Sequence, residues 1–287
     1  MNASITEAVA TAPVEDSCAE CDEFRTRARV NTVAFDVLDE DGVVGVVDRF
    51  RRCGRAHAVH FLAAHPTVVA REAKSFRMLL QRADLVVADG APIALAMRAQ
   101  GYRTASRVTS TDAFLRVCRD GASRGVRHFF LGGSSEEVTR SLLAHLAEIA
   151  PGLEVVGYEI PPFRDYNPDE VAELADRVRK SSADVLWIGI GAPRQDILAH
   201  RLRSAQAAPV VACIGATFDF VAGSKTRAPA WLRAVGCEWL YRLAQEPRRL
   251  WRRYLIGNTK FILGAIAGLL SERLAATTRL RRGMLRR

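Results

Sequence analysis

Between residue 31 and about residue 230, short runs of aliphatic and β-branched residues alternate with longer stretches whose apolar positions recur every three to four residues. Runs of the first kind predict buried strands, and those of the second predict amphipathic helices. Their steady alternation predicts parallel strands joined by crossover helices. The predicted strands are residues 32–35, 58–62, 85–88, 128–132, 154–158, 185–190 and 210–214. Helix starts are marked by polar caps and early acids. Thr111 or Ser110 opens a helix running to about Ser123, Ser134-Ser135-Glu136-Glu137 opens a second, and Asn167-Pro168-Asp169-Glu170 opens a third that ends near Lys180. The expected fold is α/β, an open and mostly parallel sheet with helices on both faces, and ligands are expected at the carboxyl ends of its strands.

The two ends of the chain break this pattern. Residues 1–30 mix Thr, Ala, Glu, Asp and Arg without period and hold no apolar stretch long enough for a signal peptide, so they read as a mobile tail. Residues 230–287 carry thirteen Arg and Lys against three Glu, a balance of +10 in a chain whose net charge is +9, so the body ahead of them is close to neutral. Trp231, Trp239, Tyr241, Trp251 and Tyr254 are interleaved with those arginines, and residues 261–270 form an apolar run. That composition suits an interfacial segment on an anionic membrane surface. At ten residues the apolar run alone is too short to cross a bilayer, which needs about 20. Basic residues with aromatics also bind single-stranded nucleic acid. The neutral body shows no basic patch and no nucleic-acid fold, so no nucleic-acid partner is expected. The domain reading is a tail (1–30), a Rossmann-like α/β domain (31–229) and a basic helical appendage (230–287). Of the six cysteines, Cys18 and Cys21 form a lone CxxC with no second ligand pair for zinc. Cys53, Cys118, Cys213 and Cys237 read as reduced thiols.

Four loops at predicted strand ends carry candidate chemistry. Asp89 stands at the tip of the third strand, ahead of Gly90-Ala91-Pro92, either as a helix cap or as a general base able to take a proton from a substrate hydroxyl. Gly132 and Gly133 end the fourth strand; they serve a tight turn, or let backbone amides approach a phosphate. In Gly189-Ile190-Gly191-Ala192-Pro193-Arg194-Gln195 the third glycine of a dinucleotide fingerprint is replaced by Arg194, which argues against a hydride-transfer enzyme. Gly191, Arg194 and Gln195 can hold a substrate instead, although a solvated helix face explains the polar pair as well. Thr217 and Asp219 follow the last strand in Gly215-Ala216-Thr217-Phe218-Asp219. Together the four loops favour a crevice for a nucleotide phosphate.

The ordered set Ala88-Asp89-Gly90, Ser106-Arg107-Val108, Phe130-Leu131-Gly132-Gly133, Gly191-Ala192-Pro193-Arg194-Gln195-Asp196, Gly215-Ala216-Thr217-Phe218-Asp219, Arg227-Ala228-Pro229 and Glu238-Trp239-Leu240-Tyr241-Arg242-Leu243 resembles the WecG/TagA/CpsF family of glycosyltransferases, from about Ala34 to Arg253. The resemblance implies an inverting, metal-independent enzyme without cofactor. It would move N-acetylmannosamine or its uronic acid from a UDP donor to an undecaprenyl-diphosphate-linked sugar, on the cytoplasmic face of the membrane, for cell-envelope polysaccharide. By position, Asp89 is similar to the family's base, and Arg107 and Gln195 to its pocket arginine and glutamine. Arg242, Arg249 and Arg252 are similar to the arginines that fold over the site and meet diphosphate. Their spacing of seven and three would also place them on one face of a helix, which suits a single anionic ligand.

The chain departs from the family pattern at Ala63-Ala64-His65-Pro66, where a Thr-x-Asn-Pro-like segment is usual, and within Thr109-Ser110-Thr111-Asp112, where a glycine is usual. His65 reads as a loop histidine bonded to backbone, as a donor-sugar contact or as a second proton-transfer group. These changes leave open another UDP-hexose or hexuronic acid as donor, and a protein that binds nucleotide sugar or anionic lipid without turnover. A homo-oligomer is also compatible with the sequence.

Overall fold

The computed structural model describes residues 25–284, with side chains described through Ser271. Cys18, Cys21, most of the predicted tail and the last three residues lie outside the described residues. A hairpin comes first: β1 (Arg27–Val30) and β2 (Val33–Asp36) pair antiparallel across Asn31 and Thr32. Then follow α1 (Glu40–Arg52), β3 (His57–Leu62), α2 (Ala64–Glu72), α3 (Lys74–Gln81), β4 (Leu85–Ala88), α4 (Ala91–Ala99), α5 (Ser110–Ala122), β5 (Arg127–Gly132), α6 (Glu136–Ile149), β6 (Glu154–Glu159), α7 (Pro168–Lys180), β7 (Val185–Gly189), α8 (Arg194–Ser204), β8 (Val210–Cys213) and α9 (Thr217–Val221). The six strands β3 to β8 form one wholly parallel sheet in the order β4-β3-β8-β7-β5-β6.

Side chains alternate across this sheet as the strand pleat requires. Val59, Phe61, Phe130, Trp187 and Val210 pack on one face with α1, α5 and α6. Phe129, Leu131, Leu186, Ile188 and Val211 pack on the other with α7 and α8. The α/β expectation with helices on both faces is met. One predicted strand is placed differently, since residues 32–35 do not enter the parallel sheet. Asn31 and Thr32 both have positive φ, which makes the two-residue turn of a hairpin, so the chain doubles back on Arg27–Val30. Ala28 and Val30, inside the segment read as tail, are thereby buried. The hairpin also covers the outer edge of β4, where the Asp36 carboxylate accepts from Val86 N–H at 2.9 Å.

Asn167 caps α7 in a capping box with Glu170, as the sequence suggests. The cap of α5 is Thr109, one residue ahead of the expected pair, because the hydroxyls of Ser110 and Thr111 turn inward instead.

Beyond the sheet the chain continues as α10 (Ala230–Ala234), α11 (Glu238–Gln245), α12 (Pro247–Trp251), a π-helical turn at Arg252–Ile256 and α13 (Gly257–Met284). Phe261 from α13 joins the core formed by the hairpin, α2, α3 and α4. Asn31 Nδ2 donates to Phe261 O at 3.0 Å, and Lys260 pairs with Glu72 at 2.5 Å. The sequence expectation of a run too short to cross a bilayer needs correction. The helical stretch Pro247–Ser271 joins the apolar run to its flanks, and its 25 residues are long and apolar enough to cross by length and composition.

Candidate functional site

The loops after β3, β4, β7 and β8 converge on one cavity of about 320 Å³, roofed by α11, α12 and the π turn. Its place at the carboxyl ends of parallel strands is the one expected of an open α/β sheet, and its size is in the range of small-ligand pockets. His65, Asp89, Arg107, Gly191, Gln195, Thr217, Asp219, Arg242 and Arg249 all line it. Gly132, Gly133, Arg194 and Arg252 do not.

Asp89 is delivered by β4, whose four residues are all buried. Its backbone N–H donates to Leu62 O, which ties the loop to the neighbouring strand, and Ser110 Oγ reaches its Oδ2 at 3.3 Å. Burial raises the carboxyl pKa to about 6. Arg107 and Arg242 oppose the rise and Glu238 adds to it. A carboxylate with that pKa is ionised at neutral pH and more basic than an ordinary aspartate, as a general base needs.

Arg107 is committed within the protein. Its Nε donates to Asp89 O at 2.9 Å, Nη1 to Arg233 O at 3.0 Å and Nη2 to Glu238 Oε2 at 2.6 Å. One guanidinium thus clamps the Asp89 loop to α10 and α11. Gly236 tightens the same junction, since a Cβ there would lie 2.7 Å from Ala91 Cβ.

Gln195 is buried in the first turn of α8, and its Oε1 accepts from Gly191 N at 3.1 Å and Gly215 N at 3.0 Å. It therefore staples the loops after β7 and β8 together. Thr217 donates to Ile214 O at 2.8 Å and sits 3.2 Å from Ser110 Oγ, so a line of hydroxyls backs Asp89. Asp219 pairs with Lys225, and Asp112 with Arg227 at 2.8 Å.

His65 lies in the first turn of α2 rather than in a loop. Burial, and then the Arg253 cation, lower its pKa to about 4, against a smaller upward pull from Glu72. The ring is neutral at pH 7 and can donate or accept.

The residues outside the cavity have visible structural partners. Phe218 closes off Gly132, where a Cβ would lie 2.5 Å from the ring, and at Gly133 it would lie 2.8 Å from Thr139 Oγ1. Arg194 turns to the loop after β6, with Nε 2.9 Å from Asp165 Oδ1 and Nη2 3.3 Å from Pro162 O. Arg252 stacks over Trp251 at 5.2 Å, while its neighbour Arg253 turns into the cavity. Sequence reasoning missed Arg253, Glu238, Lys225 and Arg227. Glu238 stands in a quoted motif, and its position seven residues after Trp231 gave no sign that it faces Arg107.

Behind the cavity floor, His60, Asp196 and Cys213 bring ligand atoms within 4.8 Å of one another, all three buried. His60 Nδ1 and Asp196 Oδ1 are 2.8 Å apart and Cys213 Sγ lies 3.4 Å from Gln195 O, so the group reads as a hydrogen-bonded support under Gln195.

Two curated bacterial relatives are similar to this chain. Both are N-acetylglucosaminyldiphosphoundecaprenol N-acetyl-beta-D-mannosaminyltransferases, from Bacillus spizizenii and Bacillus subtilis. The first is 28% identical over 180 residues, covering 63% of this chain and 67% of the relative. The second is 25% identical over 177 residues, covering 62% and 66%. The model of the glycosyl transferase WecG/TagA/CpsF family matches residues 28–275, from the first strand through the helices that roof the cavity, and the chain belongs to that family.

Proposed function

We propose that the protein is an inverting, metal-independent glycosyltransferase that moves a sugar from a UDP donor to a sugar carried on undecaprenyl diphosphate; the relatives favour N-acetylmannosamine as the donor sugar, and the family resemblance adds its uronic acid. The observation that carries this reading is Asp89. It is a carboxyl of pKa about 6 at a strand tip, in a cavity also bordered by Arg242, Arg249 and Arg253.

The acceptor hydroxyl oxygen attacks the anomeric carbon from the side opposite the nucleotide, and its proton passes to Asp89. The bond between that carbon and the diphosphate oxygen breaks, and its electron pair leaves with UDP. Attack from the opposite side inverts the anomeric centre. Charge building on the leaving diphosphate meets the guanidiniums of the roof, a fixed positive field of the kind that stabilises such transition states. The carboxylates at the cavity are each engaged, Asp219 by Lys225, Glu238 by Arg107 and Asp89 by Ser110, which supports charge stabilisation by arginine in preference to a carboxylate-held metal.

Transfer of another hexose or hexuronic acid is the second reading, favoured by the neutral imidazole of His65 in the cavity wall. A thermal-shift screen of UDP-sugars separates the two. UDP-N-acetylmannosamine or its uronic acid is expected to give the largest rise in melting temperature. A larger rise with a UDP-hexose lacking the acetamido group would establish the second reading, and no rise with any UDP-sugar would sink both.

The site's roof also bears an apolar outer face. Leu255, Ile256, Ile262, Leu263, Ile266 and Leu270 are all exposed, and at 100° per residue they fall within about 120° of one another. Phe261 and Lys260 hold the other side of α13 on the body. This supports a helix that lies in a membrane interface, peripheral and close to a lipid-linked acceptor; placement on the inner, cytoplasmic leaflet is what the family resemblance implies. Changing Ile262, Leu263 and Ile266 together to Asn is expected to cut partition onto anionic vesicles at least tenfold, while turnover of a soluble acceptor stays within a factor of about two. Unchanged flotation with such vesicles would refute the interfacial placement.

A further inference from the structure

Ser110 opens α5 without capping it. The cap is Thr109, whose hydroxyl accepts from Asp112 N–H at 3.1 Å, so the Ser110 hydroxyl is left for another partner. That residue is buried in the cavity wall, and its Oγ reaches Asp89 Oδ2 at 3.3 Å. Two more bonds join the same two segments: Val108 N–H donates to Ala88 O at 3.0 Å, and Arg107 Nε donates to Asp89 O at 2.9 Å. The hydroxyl is therefore held at a fixed place beside the tip of β4. Ser110 also lies within Thr109–Asp112, where the chain departs from the family's usual glycine.

A hydroxyl carries one proton, which gives the line of hydroxyls behind Asp89 a direction. Thr217 donates to Ile214 O, its shortest contact at 2.8 Å. Its oxygen is then left to accept, with Thr111 Oγ1 and Ser110 Oγ each 3.2 Å away. Ser110 thus has two acceptors within reach, Asp89 Oδ2 and Thr217 Oγ1. Hydrogen bonds to an ionised acceptor are about twice as strong as those between neutral groups, so Ser110 donates to Asp89 while the carboxylate is charged. Once Asp89 holds a proton that advantage is gone, and Thr217 Oγ1 offers the same hydroxyl a neutral partner. Ser110 is satisfied in both states, as a buried group beside a proton acceptor must be. The other carboxylate oxygen, Oδ1, accepts no hydrogen bond among the described residues and is not sealed off by the protein.

We propose that Ser110 is a positioning residue for the base: it holds Oδ2 of Asp89, leaves Oδ1 to take the proton of the incoming hydroxyl, and favours the ionised carboxylate. The inference rests on the reading of Asp89 as general base. Burial pushes the carboxyl pKa up and Glu238 adds to the rise, while Arg107, the Ser110 hydroxyl and Arg242 oppose it. Arg227 and Arg253 also feel the Asp89 charge. These charged groups are the same in the parent and in a Ser110 variant, so a difference between the two reads the hydroxyl alone.

The test compares the full-length parent with Ser110→Ala and Ser110→Thr in two ways. One is the pH dependence of kcat/KM with UDP-N-acetylmannosamine and an N-acetylglucosaminyl-diphosphate on a short polyprenol. The other is a carbon-13 NMR titration of the Asp89 carboxyl, its signal identified by its loss in Asp89→Asn. In Ser110→Ala the carboxyl midpoint should rise above the parent's by about 0.5–1 pH unit, since a hydrogen bond to the charged form is lost. The rising limb of kcat/KM should move with it, so that activity falls roughly 2- to 5-fold more at pH 6 than at pH 8. The plateau should drop through kcat rather than KM, because a carboxylate free to rotate is a less well aimed base. Ser110→Thr keeps the hydroxyl and should hold the parental midpoint. A purely structural serine would instead lower activity alike at every pH. An unchanged carboxyl midpoint in Ser110→Ala overturns the proposal, and so does an equal rise in Ser110→Thr, which would assign the shift to packing. If Asp89→Asn keeps full activity, the base reading fails by itself, and the NMR titration still decides whether Ser110 holds the carboxylate.

Discussion

Asp89→Asn is expected to lower kcat by roughly 10²- to 10⁴-fold, the usual contribution of a positioned general base, and to make the protein more stable. The two effects share one cause. Burial raises the Asp89 pKa from 3.8 to about 6, so at neutral pH the fold holds a carboxylate in a site that disfavours its charge. A carboxyl whose folded pKa is raised binds more protons folded than unfolded between those two values. Stability therefore falls as pH climbs from about 4 to 6, and the cost is complete above that window. The shift corresponds to at most about 3 kcal/mol at pH 7, less in so far as the cavity stays wet. Asn is uncharged and close in shape, so its melting temperature at pH 7 should exceed the parent's by several degrees. The gain should vanish below pH 4. Parental kcat/KM should rise with pH through about 6 and then level, because only ionised Asp89 accepts the proton. Full activity in Asp89→Asn, or a profile flat from pH 5 to 8, would remove Asp89 from the chemistry.

Truncation after about Ala230 should abolish turnover even on a soluble acceptor, by at least about 10³-fold. It removes Arg242, Arg249 and Arg253 from the cavity, and with them much of the field on the leaving diphosphate, a contribution of several kcal/mol in comparable sites. It also strips two of the three partners from Arg107, the carbonyl of Arg233 and the carboxylate of Glu238, so the Asp89 loop loses its clamp. With the roof gone, water reaches Asp89 and its pKa falls back toward that of an ordinary aspartate, making it a poorer base. Because truncation also uncovers the site where Phe261 packs, Glu238→Gln serves as the control that keeps the fold: it should lower kcat more than it raises KM. Normal turnover by the truncated chain would reduce the appendage to an anchor.

The parallel sheet was legible because its strands are buried on both faces and so stand out as unbroken apolar runs, as Leu85–Ala88 does. Arg27–Val30 was not. Four residues of alternating charge and small apolar side chains have no local signature, and their burial depends on Asp36 and β4, far along the chain. The loops that line the cavity could be picked out because ligand sites follow strand ends in open α/β sheets, which led directly to Asp89, Gln195 and Thr217. The same rule overreached at Gly132, where Phe218 from β8's following helix fills the space a ligand would need. For the roof, helical spacing was ambiguous between Arg252 and Arg253. A π turn and a break at Glu246, directly ahead of Pro247, decide between them. The clamp of Arg107 on Glu238 joins residues 131 apart and leaves no pattern in either segment.

One reaction tests the central claim most directly. The full-length protein is mixed with UDP-N-acetylmannosamine and an N-acetylglucosaminyl-diphosphate on a short polyprenol, and UDP release and the configuration of the new glycosidic bond are followed together by NMR. The account predicts one UDP per bond formed and an anomeric centre inverted relative to the donor. A retained configuration would contradict direct displacement assisted by Asp89, and a donor that binds without ever yielding UDP would contradict a transferase altogether.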